Sequence, residues 1–254
     1  MTRRSWSRLL LLLSLCLLPH GLAAQAPACG APAELLEPGA PLPAVARAAA
    51  AGALRVLVVG SASVLGPGTS GPAAAWPARL EAMLAARRPG LRLEFVVRGQ
   101  RAATAQDSAA LLREELAKHG FDLVLWQTGT VEAARGLEVE EMVETLHAGL
   151  DKVRAAGGDA VLIDPQFSRF LRTNSNVDAY REAIRLVAAA HAVPLFRRYE
   201  VMRHWADAEE VDLERAPREA KVATADKLND CLAKALVLLL RQAVAEAKAT
   251  PASR

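Results

Sequence analysis

Residues 54–63 read Leu54-Arg55-Val56-Leu57-Val58-Val59-Gly60-Ser61-Ala62-Ser63. A short apolar, β-branched run closed by glycine suits a strand buried in a parallel sheet better than a helix. The Gly/Ser/Pro stretch through Gly71 reads as the loop leaving that strand. The same alternation continues downstream. Trp76 to Arg88 carries Leu80, Met83 and Leu84 at helical spacing, and Leu91 to Val97 is a second strand ending before Arg98-Gly99. Ala103 to His119 reads as helix, and Phe121 to Gln127 as a third strand running into Thr128-Gly129-Thr130. A helix over Val139 to Ala156 is stopped by Gly157-Gly158, and Ala160 to Ile163 is a fourth strand before Asp164-Pro165-Gln166. A helix from Val177 to Ala190, a short strand at Val193 to Phe196 and a last helix from Ala225 to Ala247 complete the series. Strands alternating with helices imply right-handed crossovers and an α/β fold whose parallel sheet is covered on both faces. On such sheets ligands gather at the loops beyond the strands' carboxyl ends.

Four blocks at those loops carry a resemblance to the SGNH/GDSL hydrolase family, exported esterases and lipases on a three-layer α/β/α, flavodoxin-like fold. The family's first block, Gly-Asp-Ser or Gly-Ser-Ser-Ser, resembles Gly60-Ser61-Ala62-Ser63, which places Ala62 where the nucleophile stands. The second block contributes a glycine amide to the oxyanion hole and falls on Arg98 to Thr104, with Gly99 kept and Ala102 at the glycine's position. The third, Gly-Thr-Asn or Gly-x-Asn-Asp, is similar to Gly129-Thr130-Val131-Glu132, so the oxyanion asparagine becomes Val131. The last is Asp-x-x-His ahead of a helix containing Cys-Leu-Ala. Counting back from Cys231-Leu232-Ala233 puts its aspartate at Ala220 and its histidine at Ala223. A gapped register uses Asp226-Lys227-Leu228-Asn229 instead, which keeps the acid and substitutes asparagine for the base.

The resemblance therefore implies the scaffold of a serine ester hydrolase with alanine at every triad position. Ester attack by a hydroxyl needs a base to take its proton, an acid to hold the base, and preset donors for the oxyanion. Loss of such a unit costs about 10⁴ to 10⁶ in rate in serine hydrolases. The expectation is a catalytically silent protein that binds an acyl or carbohydrate ligand. Gly60, Gly99, Ala102, Gly129, Thr130, Val131 and Gln166 form its expected pocket. The alternative is a serine ester hydrolase or acyltransferase that uses Ser61 or Ser63 as a displaced nucleophile. Against it stands a plainer role for both hydroxyls as caps of the next turn. The histidines do not rescue it by context. His119 precedes Gly120 at a helix end, His147 and His191 lie on helices, and His204 follows Arg203 in a segment read as surface.

Other motifs carry less. Gly66-Pro67-Gly68-Thr69-Ser70-Gly71 spells a dinucleotide fingerprint but runs into Pro72 instead of opening a helix, and no lysine follows to make a phosphate loop. Glu138, Glu140, Glu141 and Glu144 read as a solvated helix face, no Cys/His spacing suggests a metal, and no cofactor is implied. Trp126 and Gln127 read as packing residues, and Ala206 to Arg218 as a solvated loop released from catalytic constraint.

Composition sets the compartment. Arg3, Arg4 and Arg8 precede the leucine-rich run Leu9 to Leu18, and Gly21-Leu22-Ala23-Ala24 offers small residues for cleavage, the pattern of a signal peptide over residues 1–24 and of an exported protein. Without the leader's three arginines, 28 basic side chains balance 28 acidic ones, so a domain with 4% aromatic residues has no electrostatic case for nucleic acid or for lasting membrane attachment. Cys29 and Cys231 remain, and in an oxidising compartment they are expected to join as a disulfide. Residues 25–53 read as an alanine/proline-rich arm with a short helix near Val45 to Ala51, 54–247 as one domain, and 248–254 as a tail.

Overall fold

The computed structural model describes residues 29–249, so the leader expectation for 1–24, the start of the arm at 25–28 and the tail beyond Ala249 lie outside the described residues. In chain order the elements are α1 (Pro43–Ala50), β1 (Ala53–Gly60), α2 (Trp76–Arg87), β2 (Arg92–Gly99), α3 (Ala105–Lys118), β3 (Leu123–Gln127), α4 (Thr130–Arg135), α5 (Val139–Ala155), β4 (Asp159–Ile163), α6 (Arg169–Asn174), α7 (Val177–His191), β5 (Leu195–Phe196), α8 (Arg198–Asp207) and α9 (Lys221–Ala249). Every strand pairing is parallel, and the order across the sheet is β2-β1-β3-β4-β5. That is the flavodoxin-like order, in which the crevice opens between β1 and β3 at their carboxyl ends.

The buried run that opened the sequence explains the layering. Side chains alternate across a strand, so Val56 and Val58 join Leu123, Leu125, Val161 and Ile163 on one face, against Trp76 and Leu80 of α2 and Leu232, Leu236 and Leu239 of α9. Leu57 and Val59 point the other way with Val124, Trp126 and Leu162, against Leu112 of α3, Leu146 and Leu150 of α5, and Ile184 and Val187 of α7. Two apolar layers on one sheet give the three-layer α/β/α sandwich. No described helix is long and apolar enough to cross a membrane.

The arm is an integral part of the body from Cys29 onward. Leu36, Leu42, Ala44 and Val45 are buried, the Leu42 amide donates to Ala243 O (3.1 Å), and the Val45 amide donates to Asp159 Oδ2 (2.9 Å). Cys29 and Cys231 form a disulfide that ties the arm to α9 across 202 residues of sequence. Lys248 and Ala249, assigned to a tail by the sequence, are still helical.

The stretch 206–218 corrects an expectation. It is packed, with Val211 4% exposed, Asp212 and Glu214 paired with Arg169 at 2.9 and 3.5 Å, and Glu214 accepting from the Ser168 hydroxyl at 2.7 Å. Lys221 Nζ donates back to Leu213 O and Glu214 O. Opposite charges on the two segments, invisible as pairs in the sequence, hold the connection against α6.

Candidate functional site

At the end of β1 the chain turns into a short 3-10 segment, Ala62–Leu65, that folds back over β2. This return is possible because position 99 has no side chain: a Cβ there would stand 2.4 Å from Val64 Cγ2 and 2.8 Å from Leu65 Cγ. Gly60 is under the same constraint, since its Cβ would meet Gln127 Cβ at 2.9 Å. The two glycines bring Ser61, Ala62 and Ser63 beside the last residue of β3.

That residue is Gln127, 2% exposed. Its Nε2 donates to Ser63 Oγ at 2.5 Å and to Ser61 Oγ at 3.3 Å, while its Oε1 accepts from Arg198 Nη1 at 2.7 Å. Guanidinium has donors and no acceptor, so the arginine fixes which end of the amide faces the serines. Arg198 opens α8, is itself 2% exposed, and spreads its remaining donors over the site. Nη1 also reaches Ser63 Oγ (3.3 Å), Nη2 reaches Thr130 Oγ1 (3.2 Å), and Nε reaches Asp164 O (3.1 Å). A buried charge needs such a full set of partners.

Asp164 follows β4 and is fully enclosed. Its Oδ1 accepts from the Tyr199 amide at the start of α8 (2.9 Å), and Oδ2 lies 3.7 Å from Arg181 Nε. Burial pushes its carboxyl up to about 7, opposed by the Tyr199 amide and by Arg181 and Arg198. Burial also pulls Arg198 down to about 10, with Asp164 acting the other way, which leaves the arginine charged at neutral pH. Arg181 lies over the Tyr199 ring (4.2 Å) and pairs with Asp178 and Glu200, each at 2.7 Å, completing the support behind Asp164.

The neighbouring loops are fixed by a second buried acid. Glu132 Oε2 accepts from the Gly129 amide (3.1 Å), its other oxygen from the Ala105 amide, and desolvation raises its pKa. One carboxylate thus ties the β3–α4 turn to the start of α3. Between these anchors Ala102 adopts φ 60°, the left-handed conformation usual for glycine. An alanine here thus holds a turn conformation that favours glycine.

The expected pocket residues divide. Gly60 and Gly99 end β1 and β2, Thr130 opens α4, and Ala102, Gly129 and Gln166 lie on the connections at this end of the sheet, where the Gln166 backbone amide donates to Thr130 Oγ1 at 3.1 Å. Gln166 also borders a cavity of about 120 Å³ with Phe167, Met202, Val211 and Leu228. Val131 is a half-buried residue in the first turn of α4 and offers no polar atom from its side chain.

The last block is not presented to the site as a loop. Ala220 ends a 3-10 turn, Arg218–Ala220, and Ala223 is exposed in the first turn of α9. The gapped alternative does structural work: Asp226 Oδ1 accepts from the Ser70 amide (2.8 Å) and Asn229 Oδ1 from the buried Trp76 amide (2.9 Å). Both residues pin the β1–α2 connection to α9. The turn-capping role expected for Ser61 and Ser63 is corrected too, because Ser61 starts the 3-10 turn with no side-chain cap and both hydroxyl oxygens face Gln127 instead. Gln127, read as packing, is the hub, whereas its neighbour Trp126 does pack, fully buried.

Among the described residues no imidazole hydrogen-bonds either serine. His147 Nδ1 and His191 Nε2 meet each other at 2.7 Å across α5 and α7, with Asp151 3.7 Å from His191. His119 caps the C-terminal end of α3 beside Phe121, and His204 lies along α8. The described residues contain no cluster of three or more His, Cys, Asp or Glu arranged to hold a metal.

Solved esterase structures share this fold. TesA superposes with a TM-score of 0.56 at 20% identity, covering 73% of this chain and 99% of that one. A variant of Axe2, an acetyl xylan esterase from Geobacillus stearothermophilus, gives 0.60 at 15% identity over 74% of this chain and 94% of that one. A two-domain esterase active on acetylated mannans gives 0.65 at 14% identity over 85% of this chain, which spans 56% of that protein. At such identities the likeness establishes the fold. No curated protein matches the chain. Residues 28–246 match the Non-GDSL lipase-like family, and with that match running through both layers and every strand-end loop, the chain belongs to this SGNH/GDSL hydrolase-like family.

Proposed function

We propose that this protein is a catalytically silent member of its family, exported and acting by binding an acyl or carbohydrate ligand at the β1/β3 crevice. The observation that carries the reading is the pairing of Ser61 and Ser63. Their oxygens accept from an amide and a guanidinium, neither of which removes a proton at neutral pH. A serine without a base is a poor nucleophile, and Ala62 stands at the family's nucleophile position. The ligand class rests on the solved relatives, two of which act on acetylated xylan or mannans. Export rests on the arginine-flanked leucine run before Ala24 and is supported by the Cys29–Cys231 disulfide, a bond that persists in oxidising compartments.

Activity decides between this reading and a hydrolase with a displaced nucleophile. Purified protein lacking residues 1–24 should leave short activated esters untouched, and a fluorophosphonate probe should label neither Ser61 nor Ser63. Labelling of either serine would replace silence with catalysis. Fractionation of the expressing cell, with amino-terminal sequencing of the product, tests export: a mature chain starting after Ala23 or Ala24 outside the cytoplasm is expected.

A further inference from the structure

The bonds around Gln127 leave an imbalance of donors over acceptors that points to a particular ligand chemistry. Ser63 Oγ accepts from Gln127 Nε2 and Arg198 Nη1, which occupies both its lone pairs and leaves its hydrogen as a donor. Ser61 Oγ accepts from the same amide, and neither hydroxyl donates to any acceptor among the described residues. Both serines are partly exposed, so a ligand from solvent has access to these residues.

The hydrogen bonds of Arg198 point in the same direction, since none of them goes to a carboxylate. The four groups that Arg198 contacts are Asp164 O, Gln127 Oε1, Ser63 Oγ and Thr130 Oγ1, all neutral oxygens. The Asp164 carboxylate attracts Arg198 through space but accepts its hydrogen bond from the Tyr199 amide and lies 3.7 Å from Arg181 Nε. A buried cation is thus relayed through Gln127 and Ser63 to two hydroxyl donors. Neutral carbonyls can accept from such donors, but an anionic acceptor makes the stronger, charge-assisted bonds with donors that a guanidinium backs.

We propose that Ser61 and Ser63, backed by Gln127 and Arg198, form a receptor for an oxyanion, the carboxylate of an acyl chain or a phosphate group. The proposal rests on the silent reading in placing a ligand at this site, and it names the group that docks there. The guanidinium polarises the hydroxyls without touching the ligand, and both serines donate to its oxygens. Because the positive charge is buried, added salt screens the attraction less than it would at a surface.

The test uses the oxidised mature protein and three probes: sodium acetate, sodium octanoate and inorganic phosphate, at matched ionic strength against sodium chloride. Calorimetric titration or a saturable rise in melting temperature is expected with at least one of them, and a neutral ester of the same acid should bind more weakly. Tighter binding of acetate or octanoate identifies a carboxylate ligand, and tighter binding of phosphate identifies a phosphate ligand. Substituting both serines (Ser61→Ala with Ser63→Ala) should weaken binding about tenfold or more, the range for loss of charge-assisted hydrogen bonds. Arg198→Gln is the direct variant but removes a buried charge on which the fold leans, so the serine pair decides the matter. No saturable binding of any probe, or undiminished binding by the doubly substituted protein, overturns the receptor. An ester assay run on the same samples separates the two claims: absence of both binding and turnover defeats the receptor alone, whereas turnover defeats the silent reading.

Discussion

Arg198 and Arg197 are adjacent and chemically identical, yet one is enclosed at the centre of the site and the other lies half-buried near Glu200 at 3.8 Å. The turn from β5 into α8 makes that choice, and composition carries no trace of it. Asp164 was legible as a residue leaving a strand on the ligand side, but its burial depends on Tyr199 and Arg181, which are distant in sequence. The raised carboxyl has a definite consequence. A folded-state pKa of about 7 against an ordinary value of 3.8 means that the fold prefers protonated Asp164. Its contribution is complete below about pH 4 and is lost as pH rises through 7. Urea denaturation should therefore show the Asp164-dependent part of stability falling by on the order of 2 kcal/mol between pH 5 and pH 8. Asp164→Asn, which keeps an acceptor for the Tyr199 amide, should remove that part of the slope; an identical slope in the variant would contradict the assignment. Ala102 offers a second prediction at this scale. Alanine at φ 60° carries a penalty that glycine escapes, and Ala102→Gly should stabilise the protein by about 0.5–1 kcal/mol in the same assay, net of glycine's entropy cost.

The long elements were readable because their patterns are dense. The strand at Leu54 to Val59 and the last helix contain enough buried apolar residues for period and length to agree. α4 and α6 have six residues each and follow the cap residues Gly129 and Ser168, where glycine and serine read equally well as loop. The 206–218 connection misled for a related reason: Asp212 and Glu214 look solvated until Arg169 is brought alongside. Asp226 and Asn229 illustrate how a motif's spacing can outlast its role. Both sit where the gapped register puts an acid and a base, and both serve as acceptors for backbone amides of the β1–α2 connection. The arm depends on an element-level link as well. Cys29–Cys231 closes a span of 202 residues, and reducing it or making Cys29→Ser should lower stability to denaturant by about 2–5 kcal/mol. An unchanged midpoint with and without reductant would mean that Leu36, Leu42 and Val45 hold the arm unaided.

Across the whole molecule, the sheet order 2-1-3-4-5 brings the carboxyl ends of β1 and β3 together and so decides where function can reside. Sequence blocks pointed to the strand ends at that crevice, where Gly60 and Gly99 allow close approach of neighbouring side chains and Gly129 and Ala102 take left-handed conformations. What they could not reveal is the occupant of the middle, because Gln127, Asp164 and Arg198 come from the ends of three different strands, β3, β4 and β5, and meet only once the sheet is assembled. The imidazoles meet elsewhere, His147 with His191 between α5 and α7. A scaffold shared with esterases thus carries a buried amide–guanidinium pair beside its serines. The direct measurement is the initial rate of hydrolysis of a short activated ester by the mature protein, compared with the Ser61→Ala, Ser63→Ala double variant. The account predicts that both rates equal the buffer background; turnover by the unsubstituted protein that vanishes with the serines would contradict it.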